Sequence, residues 1–406
     1  MRVSIFEYVS GGGFLDRNLP SSILSEGYGM LCSALSDFKE AGYQTYTLLD
    51  SRLALFQPPL RADRIHLAKS QEELKIKFMD LLRDADISLL IAPESEGILA
   101  KFLSLSEELD IDSLNCTISS ISAVCNKLRL YEKLKENGLS VPKTNKVIIE
   151  ENIEKAQKIV ENIGFPIIIK PIEGIGCYGL SFVKTFSQLP LAISKIKEEA
   201  RTNTYLIQEF VKGIHASVSL ISNGKKAIPL TLNLQMIALN PPNKTSSYIG
   251  GIVPFDHELK EKAFHIAKRA VELFKGLRGY VGVDLVLSKS GPVLIEINPR
   301  LTVSYIGLKR VSNLNLAKAM IKASLEDKLP EDFNPSCYSI FSKEALPALS
   351  NDLLKETYSM QEVVTPPFPF NNKNYALLAT KGKSLEEAKA LFKKARQKLR
   401  SIAKVR

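Results

Sequence analysis

Asp284 and Glu296 belong to the stretch GYVGVDLVLSKSGPVLIEINPR, in which the apolar runs VDLVL and PVLIEI flank a Ser-Lys-Ser-Gly segment. That pattern predicts a β-hairpin. With the turn centred on Ser290, Asp284 falls directly across from Glu296, and Asn298 shares their face because strand side chains alternate. Gly282, opposite Asn298, leaves the space above it open. The other face then carries Leu285, Leu287, Val293, Ile295 and Ile297. Opposed side chains start ~4.5–5.5 Å apart at Cβ, so two carboxylates there repel by ~3 kcal/mol at an effective dielectric of ~20. A bound cation removes that cost. Asp, Glu and Asn are oxygen ligands, and hard Mg²⁺ prefers oxygen, usually shared with nucleotide phosphates. Arg300 follows directly, placed to meet another anion. A solvated edge hairpin with unrelated charges is the competing interpretation.

A second set of residues has phosphate chemistry. FPIIIKPIEGIGCYGLSFVK puts Lys170 at the end of a buried strand, before a loop with Gly174, Gly176 and Gly179 and a second strand. Glycines let the backbone turn sharply and aim N–H groups at phosphate oxygens, while the lysine adds charge. The strand-loop-strand context excludes a Walker-A loop, which needs GK[ST] and a helix. Alone such a loop is equally a structural hairpin; with Lys127, the hairpin carboxylates and Arg300 it points to a nucleotide site. TYLIQEFVKG sets Glu209 at the end of an apolar strand before a Lys-Gly turn, where backbone groups could meet an adenine edge and the carboxylate a sugar or amine. A capped strand end is the alternative there.

These residues need elements to hold them. The first ~115 residues alternate strand-like and helix-like segments, from RVSIFEYV through ILSEGYGMLCSALSDFKEAG, YTLLD, DRIHLA and QEELKIKFMDLLRDA to ISLLIAPE. The rhythm implies a parallel sheet covered by helices. Gly11 to Gly13 end the first strand, where open α/β sheets bind ligands, or else make a tight turn; GxGxxG spacing is missing, so a dinucleotide fold is not supported. SISAVCNKLRLYEKLKENGLSVPKT reads as one helix, started by capping serines and ended at Gly138. From ~120 to ~330 the pattern is α+β, and residues ~335–406 add YSIFSK, YALLAT and a terminal helix.

At 406 residues the chain has room for two or three domains, with 45% hydrophobic and 24% charged residues as in ordinary globular proteins. No apolar run approaches the ~20 residues of a membrane span. MRVSIFEYV is a strand rather than a secretory signal, and five scattered cysteines lack metal or disulfide spacing. A cytoplasmic location is expected. The net charge of +10 is concentrated at one end: residues 381–406 hold ten Lys/Arg against two Glu. There SLEEAKALFKKARQKLRSI spaces Leu385, Ala388, Phe392, Ala395 and Leu399 as one helix face, acids first and bases later, which suits the helix dipole. A docked, solvated helix is expected rather than a nucleic-acid arm.

The order Asn126-Lys127, FPIIIKP with its glycine loop, QEFVKG, then VD…IEINPR resembles the ATP-grasp superfamily of carboxylate–amine ligases. The resemblance implies an α/β chain: an N-terminal parallel-sheet (pre-ATP-grasp) domain over 1–119, a two-lobed α+β ATP-grasp domain over 120–330, and a small C-terminal α+β appendage over 331–406. It implies that Lys127 and Lys170 contact ATP phosphates beneath the Gly174–Gly176–Gly179 loop. Gln208, Glu209, Phe210 and Val211 would line the adenine and ribose pocket. Many members have an acidic residue for the ribose near His215; here His215 stands alone, so the ribose contact is open. Asp284, Glu296 and Asn298 would bind two Mg²⁺ or Mn²⁺ ions, and Arg300, with Lys170, would act catalytically by steadying an acyl phosphate. The segments FEYVSGGGF, LPSSILSEGYGML, SSYIGGIVPFDHEL and INPRLTVSYIGL resemble an archaeal branch serving methanofuran-type cofactor pathways. That branch implies L-glutamate as acid and tyramine as amine, with Ser246, Tyr248, Gly250, Arg300 and Thr302 as substrate contacts. The expected partners are therefore a small-molecule carboxylate and amine, without nucleic acid or membrane, leaving room for a homodimer. An ATP-grasp carboxylase of the biotin or purine kind, and a non-catalytic nucleotide-binding regulator, are the rivals.

Overall fold

A computed structural model describes residues 1–404 apart from 151–152, 173, 175–176, 201–202 and 332, and apart from the side chain of Ala200. Gly176 of the glycine loop lies outside the described residues. Among the described residues the strands form three sheets.

The first is parallel, in the order Arg64–Ala68, Gln44–Asp50, Arg2–Glu7, Ile87–Ile91, Asp112–Ser113. Its strand Ile87–Ile91 is buried at every position, as expected where helices cover both faces. The helix Ser21–Glu40 packs on one side, with Leu31, Leu35 and Phe38 in the core. The helix Gln71–Arg83 is opened by Ser70, whose side chain accepts from Glu73 N.

The segment expected as one helix, opened by serines and ended at Gly138, is two, Ile118–Cys125 and Lys127–Glu136, broken at Asn126. Asn126 takes an extended backbone (ψ 99°) and its side chain accepts from Arg129 N at 3.1 Å. An asparagine can cap as well as continue a helix, and here it caps. The break puts Lys127 at the first position of a helix, buried at its start.

The second sheet is antiparallel, ordered Thr144–Ile148, Thr204–Glu209, Ile167–Pro171, Ser181–Val183. Ala156, Val160, Leu189, Ala192 and Ile196 of its two helices pack with Ile167, Ile169 and Ile207 in a core of their own. The alternate residues Ile168, Lys170 and Gln208 line a cleft instead.

The third sheet has eight strands in the order Gly291–Asn298, Arg278–Ser288, Gly213–Asn223, Ala227–Ala238, Ser247–Val253, Tyr338–Leu346, Asn374–Gly382, Val363–Thr365. Residues 331–406, expected as a small C-terminal α+β appendage, extend this sheet. Tyr338–Leu346 pairs with Ser247–Val253, placing Ser342 beside Gly250, and so satisfies backbone groups that would otherwise form an open sheet edge. The terminal helix Leu385–Lys404 docks through Ala388, Ala395, Leu399 and Ile402, with Phe392 partly buried. No helix among the described residues is long and apolar enough to cross a membrane.

Candidate active site

The hairpin pairs as its sequence requires: Gly282 faces Asn298 and Asp284 faces Glu296. The turn differs. It is the two-residue Lys289–Ser290 connection, and the register shifts between Asp284 and Leu285, so that Leu285 faces Leu294. Ile295 is the extra residue of a β-bulge. The bulge reassigns the faces: Leu294 enters the apolar core, while Ile295 lines the cleft beside Glu296. It also frees backbone groups from the ladder, and both find partners. Leu294 N donates to Ser140 O at 2.9 Å, and Ile295 O accepts from the Tyr131 hydroxyl at 2.9 Å. Nor is the space above Gly282 open, because the Thr302 methyl lies where a Cβ would be, 2.5 Å away.

Charged groups converge on this hairpin. Lys127 Nζ lies 3.1 Å from Glu296 Oε1. Asp284 accepts from Gln235 Nε2 at 2.8 Å and from Asn298 Nδ2 at 3.1 Å. Lys170, only 6% exposed, donates to the Tyr131 hydroxyl at 2.7 Å, with its ammonium 5.3 Å from the ring centroid. Burial, then the neighbouring Lys127, pulls Lys170 down to about 7. Burial, then repulsion from Glu296, pushes Asp284 up to about 7. For Glu296, burial pushes upward but Lys127 and Lys170 outweigh it, so its carboxyl stays below the usual range. For Lys127, burial is outweighed by Glu296 and the ammonium is reinforced. The pair Lys127–Glu296 is charged, while Lys170 and Asp284 are poised for an incoming anion and cation respectively.

Lys127, Lys170, Gly174, Gln208, Glu209, Val211, His215, Tyr248, Asp284, Glu296, Asn298, Arg300 and Thr302 all line one cleft of about 280 Å³ between the sheets. Cys177, Tyr178 and Leu180 of the glycine loop join them, and Gly179, at φ +69°, donates its N–H to Glu199 at 2.7 Å. His215 is held neutral by burial, which lowers it. Besides Gly179, three expected contacts are not among the lining residues. Phe210 packs against Phe182, centroids 4.8 Å apart and rings tilted by 57°, and is not among the lining residues. Ser246 ties loops together, donating to Leu180 O at 3.3 Å and accepting from Asn240 N at 3.0 Å. Gly250 serves strand pairing: an added Cβ would sit 2.1 Å from Phe341 O. Tyr248 does face the cleft, and its buried hydroxyl makes no hydrogen bond of ordinary geometry.

Residue-by-residue reading of the sequence misses Tyr131, Gln235, Glu26 and Glu94. Glu94 follows the strand Ile87–Ile91, at the end of a parallel sheet where ligands gather. It lies 2.8 Å from Arg300 Nε, off the hydrogen-bond direction. That position is legible as a signal; Tyr131 is not, because nothing local to a helix announces a bulge elsewhere in the chain.

The donor set fits a divalent cation. Two opposed carboxylates and an amide oxygen are hard ligands on a cleft wall, and the repulsion that raises Asp284 is what a cation would relieve. Among the described residues no group of three or more His, Cys, Asp or Glu forms a closed metal cage, so such an ion would be shared with ligand oxygens.

Comparison with known proteins gives a consistent picture. Residues 124–304 match the family described as the ATP-grasp domain, and residues 43–121 match the pre ATP-grasp 3 domain. The tyramine–L-glutamate ligase of Methanocaldococcus jannaschii is 32% identical over 332 residues, covering 80% of this chain and 90% of that protein. Among solved structures, the biotin carboxylase of Campylobacter jejuni superposes with a TM-score of 0.71 at 16% identity, over 97% of this chain and 90% of the other. The L-amino acid ligase of Bacillus licheniformis superposes at 0.67 and 16%, over 98% and 97%. At such identities the structural likenesses speak for the fold.

Proposed function

The chain belongs to the ATP-grasp family and is an ATP-dependent carboxylate–amine ligase, and from that premise we propose that it joins L-glutamate to tyramine. The observation that carries the reading is the meeting, on one cleft, of Lys127 and Lys170 with the opposed Asp284–Glu296 pair and Arg300. The glycine loop and the two lysines hold the ATP phosphates, and the Gln208–Val211 linker meets the adenine. Mg²⁺ or Mn²⁺, two ions in the family pattern, would be held by Asp284, Glu296 and Asn298 and would neutralise charge on the phosphate oxygens.

A carboxylate oxygen of the acid attacks the γ-phosphorus, the bond to the β-phosphate oxygen breaks, and ADP leaves. The unprotonated amine then attacks the acyl carbon, phosphate departs with the C–O electron pair, and the nitrogen gives up a proton to leave the amide. Lys170 and Arg300 stabilise the oxygens on which charge accumulates, Arg300 being aimed by Glu94. Positioning and exclusion of water do most of the work. The 32% identical ligase supports glutamate and tyramine as substrates. So does the lining: Ile23, Met30, Ile237 and Leu239 give the cleft that Tyr248 faces an apolar component, which suits a phenolic ring. ADP release measured with ATP, Mg²⁺, L-glutamate and tyramine tests this. Turnover that requires both substrates, with the amide seen by mass spectrometry, is expected; none with this pair, against turnover with another acid or amine, removes the substrate assignment.

A further inference from the structure

A second cavity, about 380 Å³, lies on the other side of the helix Ser21–Glu40. Ile23, Glu26, Gly27 and Met30 of that helix face the catalytic cleft, while Tyr28, Cys32, Ser33 and Ser36 face this one. The helix Ser304–Val311 is shared in the same way: Ser304 lines the cleft, Lys309 and Arg310 the second cavity. The remaining wall comes from Pro59, Arg61, Tyr358, Val363, Val364 and Pro366.

Its polar groups are incompletely satisfied. Lys309 and Arg61 share a single acid, Glu40, at 2.9 and 3.5 Å. Arg310 donates to Ile306 O at 3.2 Å, and among the described residues no carboxylate pairs with it. Burial alone pulls its guanidinium down to about 10, with only the Cys32 thiol nearby to oppose the shift. The Tyr28 hydroxyl, 1% exposed and beside Cys32, makes no hydrogen bond of ordinary geometry. Buried polar groups in native structures normally have partners, and an arginine fork matches the oxygens of a phosphate. Three cations face Glu40, with Asp37 also near Lys309, and the positive surplus that remains suits a phosphate anion. Pro59, Val363, Val364 and Pro366 offer an apolar rim for whatever carries it.

We propose that this cavity binds the phosphate group of a small metabolite, held by Arg310 and the Tyr28 hydroxyl with Lys309 and Arg61 at the mouth. It stands apart from the ligase reaction, since none of these residues lines the catalytic cleft. Thermal unfolding is followed with inorganic phosphate and with phenyl phosphate, in the wild type, Lys170→Met, Arg310→Gln and Tyr28→Phe. Ligand binding to the native state raises Tm by mass action, here by roughly 1–3 °C at tenfold excess over Kd. The expected result is a rise kept by Lys170→Met, lost by Arg310→Gln and weakened several-fold by Tyr28→Phe, with phenyl phosphate the tighter probe. A rise lost in Lys170→Met but kept in Arg310→Gln would mean phosphate binds only in the catalytic cleft and would overturn the proposal. So would no rise at all, or equal rises in all four proteins, which is a general salt effect. If Arg310→Gln does not fold, Tyr28→Phe decides by the same criterion, since it keeps the ring contact with Phe368.

Discussion

Replacing Glu296 by Gln removes one charge from the hairpin and leaves its shape unchanged. Electrostatic terms change in opposite senses: attraction to Lys127 and Lys170 is lost, while the burial cost of the carboxylate and its repulsion of Asp284 are removed. Lys127 loses an ion pair at 3.1 Å, a gross ~5 kcal/mol at an effective dielectric of ~20, while Asp284 is relieved of a repulsion of ~3 kcal/mol at ~5 Å. About a third of the Glu296 side chain is exposed, which screens both terms. The remainder is a destabilisation of ~1 kcal/mol, a fall in Tm of roughly 2 °C. The catalytic effect is much larger, because the amide cannot replace a carboxylate in holding a cation against phosphate oxygens. Removing one such electrostatic stabiliser costs ~10²–10³ in rate. Coupled-enzyme detection of ADP release, beside a melting curve, measures both. A variant that melts near the wild type yet has lost at least a hundredfold of its ADP release is expected. ADP release within tenfold of wild type would refute the metal-site reasoning, and a collapse in Tm would refute the charge balance.

Tyr131→Phe keeps the ring under the Lys170 ammonium but deletes the hydroxyl that bridges it to Ile295 O; chemical denaturation should show a loss of ~2–4 kcal/mol, since a charged donor and a buried carbonyl each lose a partner. Glu94→Gln leaves Arg300 without its ion pair, and steady-state ADP assays should show the KM for the acid rising ~10-fold or more with the KM for ATP little changed. Asp37, pushed up to about 6 chiefly by burial, holds a proton in the folded state that the unfolded chain gives up near its ordinary ~3.9. The raised carboxyl means that its contribution is fully present below pH ~4 and is lost as pH rises to about 6, amounting to ~3 kcal/mol. The gap in denaturation midpoint between wild type and Asp37→Asn should therefore be constant below pH 4 and shift against the wild type as pH rises from 4 to 7.

What is legible in the sequence, and what is not, divides along the range of the forces involved. The opposition of Asp284 to Glu296 follows from strand periodicity and a short turn, both local, and the structure pairs them. Lys170, at the end of its buried strand, is legible for the same reason. The bulge at Ile295 is not, because its carbonyl is satisfied by Tyr131, 164 positions away in sequence. The break at Asn126 is hidden too, since capping and continuing a helix differ for asparagine by an amount that tertiary packing of Lys127 readily overrides. The motif SSYIGG suggests substrate contacts at Ser246 and Gly250, yet the strand Tyr338–Leu346, joined from the far end of the chain, occupies the space beside Gly250.

That strand also ties the C-terminal segment to the catalytic cleft. Adjacent strand residues point to opposite faces, and Lys343 and Glu344 use both. Lys343 reaches the helix Ser21–Glu40, donating to Ser22 Oγ at 2.9 Å and pairing with Glu26, which lines the cleft. Glu344, 2% exposed, turns the other way and pairs with Arg396 at 2.7 Å and Arg400 at 3.0 Å on the terminal helix. The basic charge crowded into the last residues is therefore structural in part, because two of its arginines satisfy a buried carboxylate and so fix the strand that carries Lys343. Without this segment, Glu26 would face the cleft unpaired, and its charge would meet an incoming polyphosphate. The C-terminal strands thus neutralise a carboxylate of the cleft as well as covering the edge of the strand Ser247–Val253.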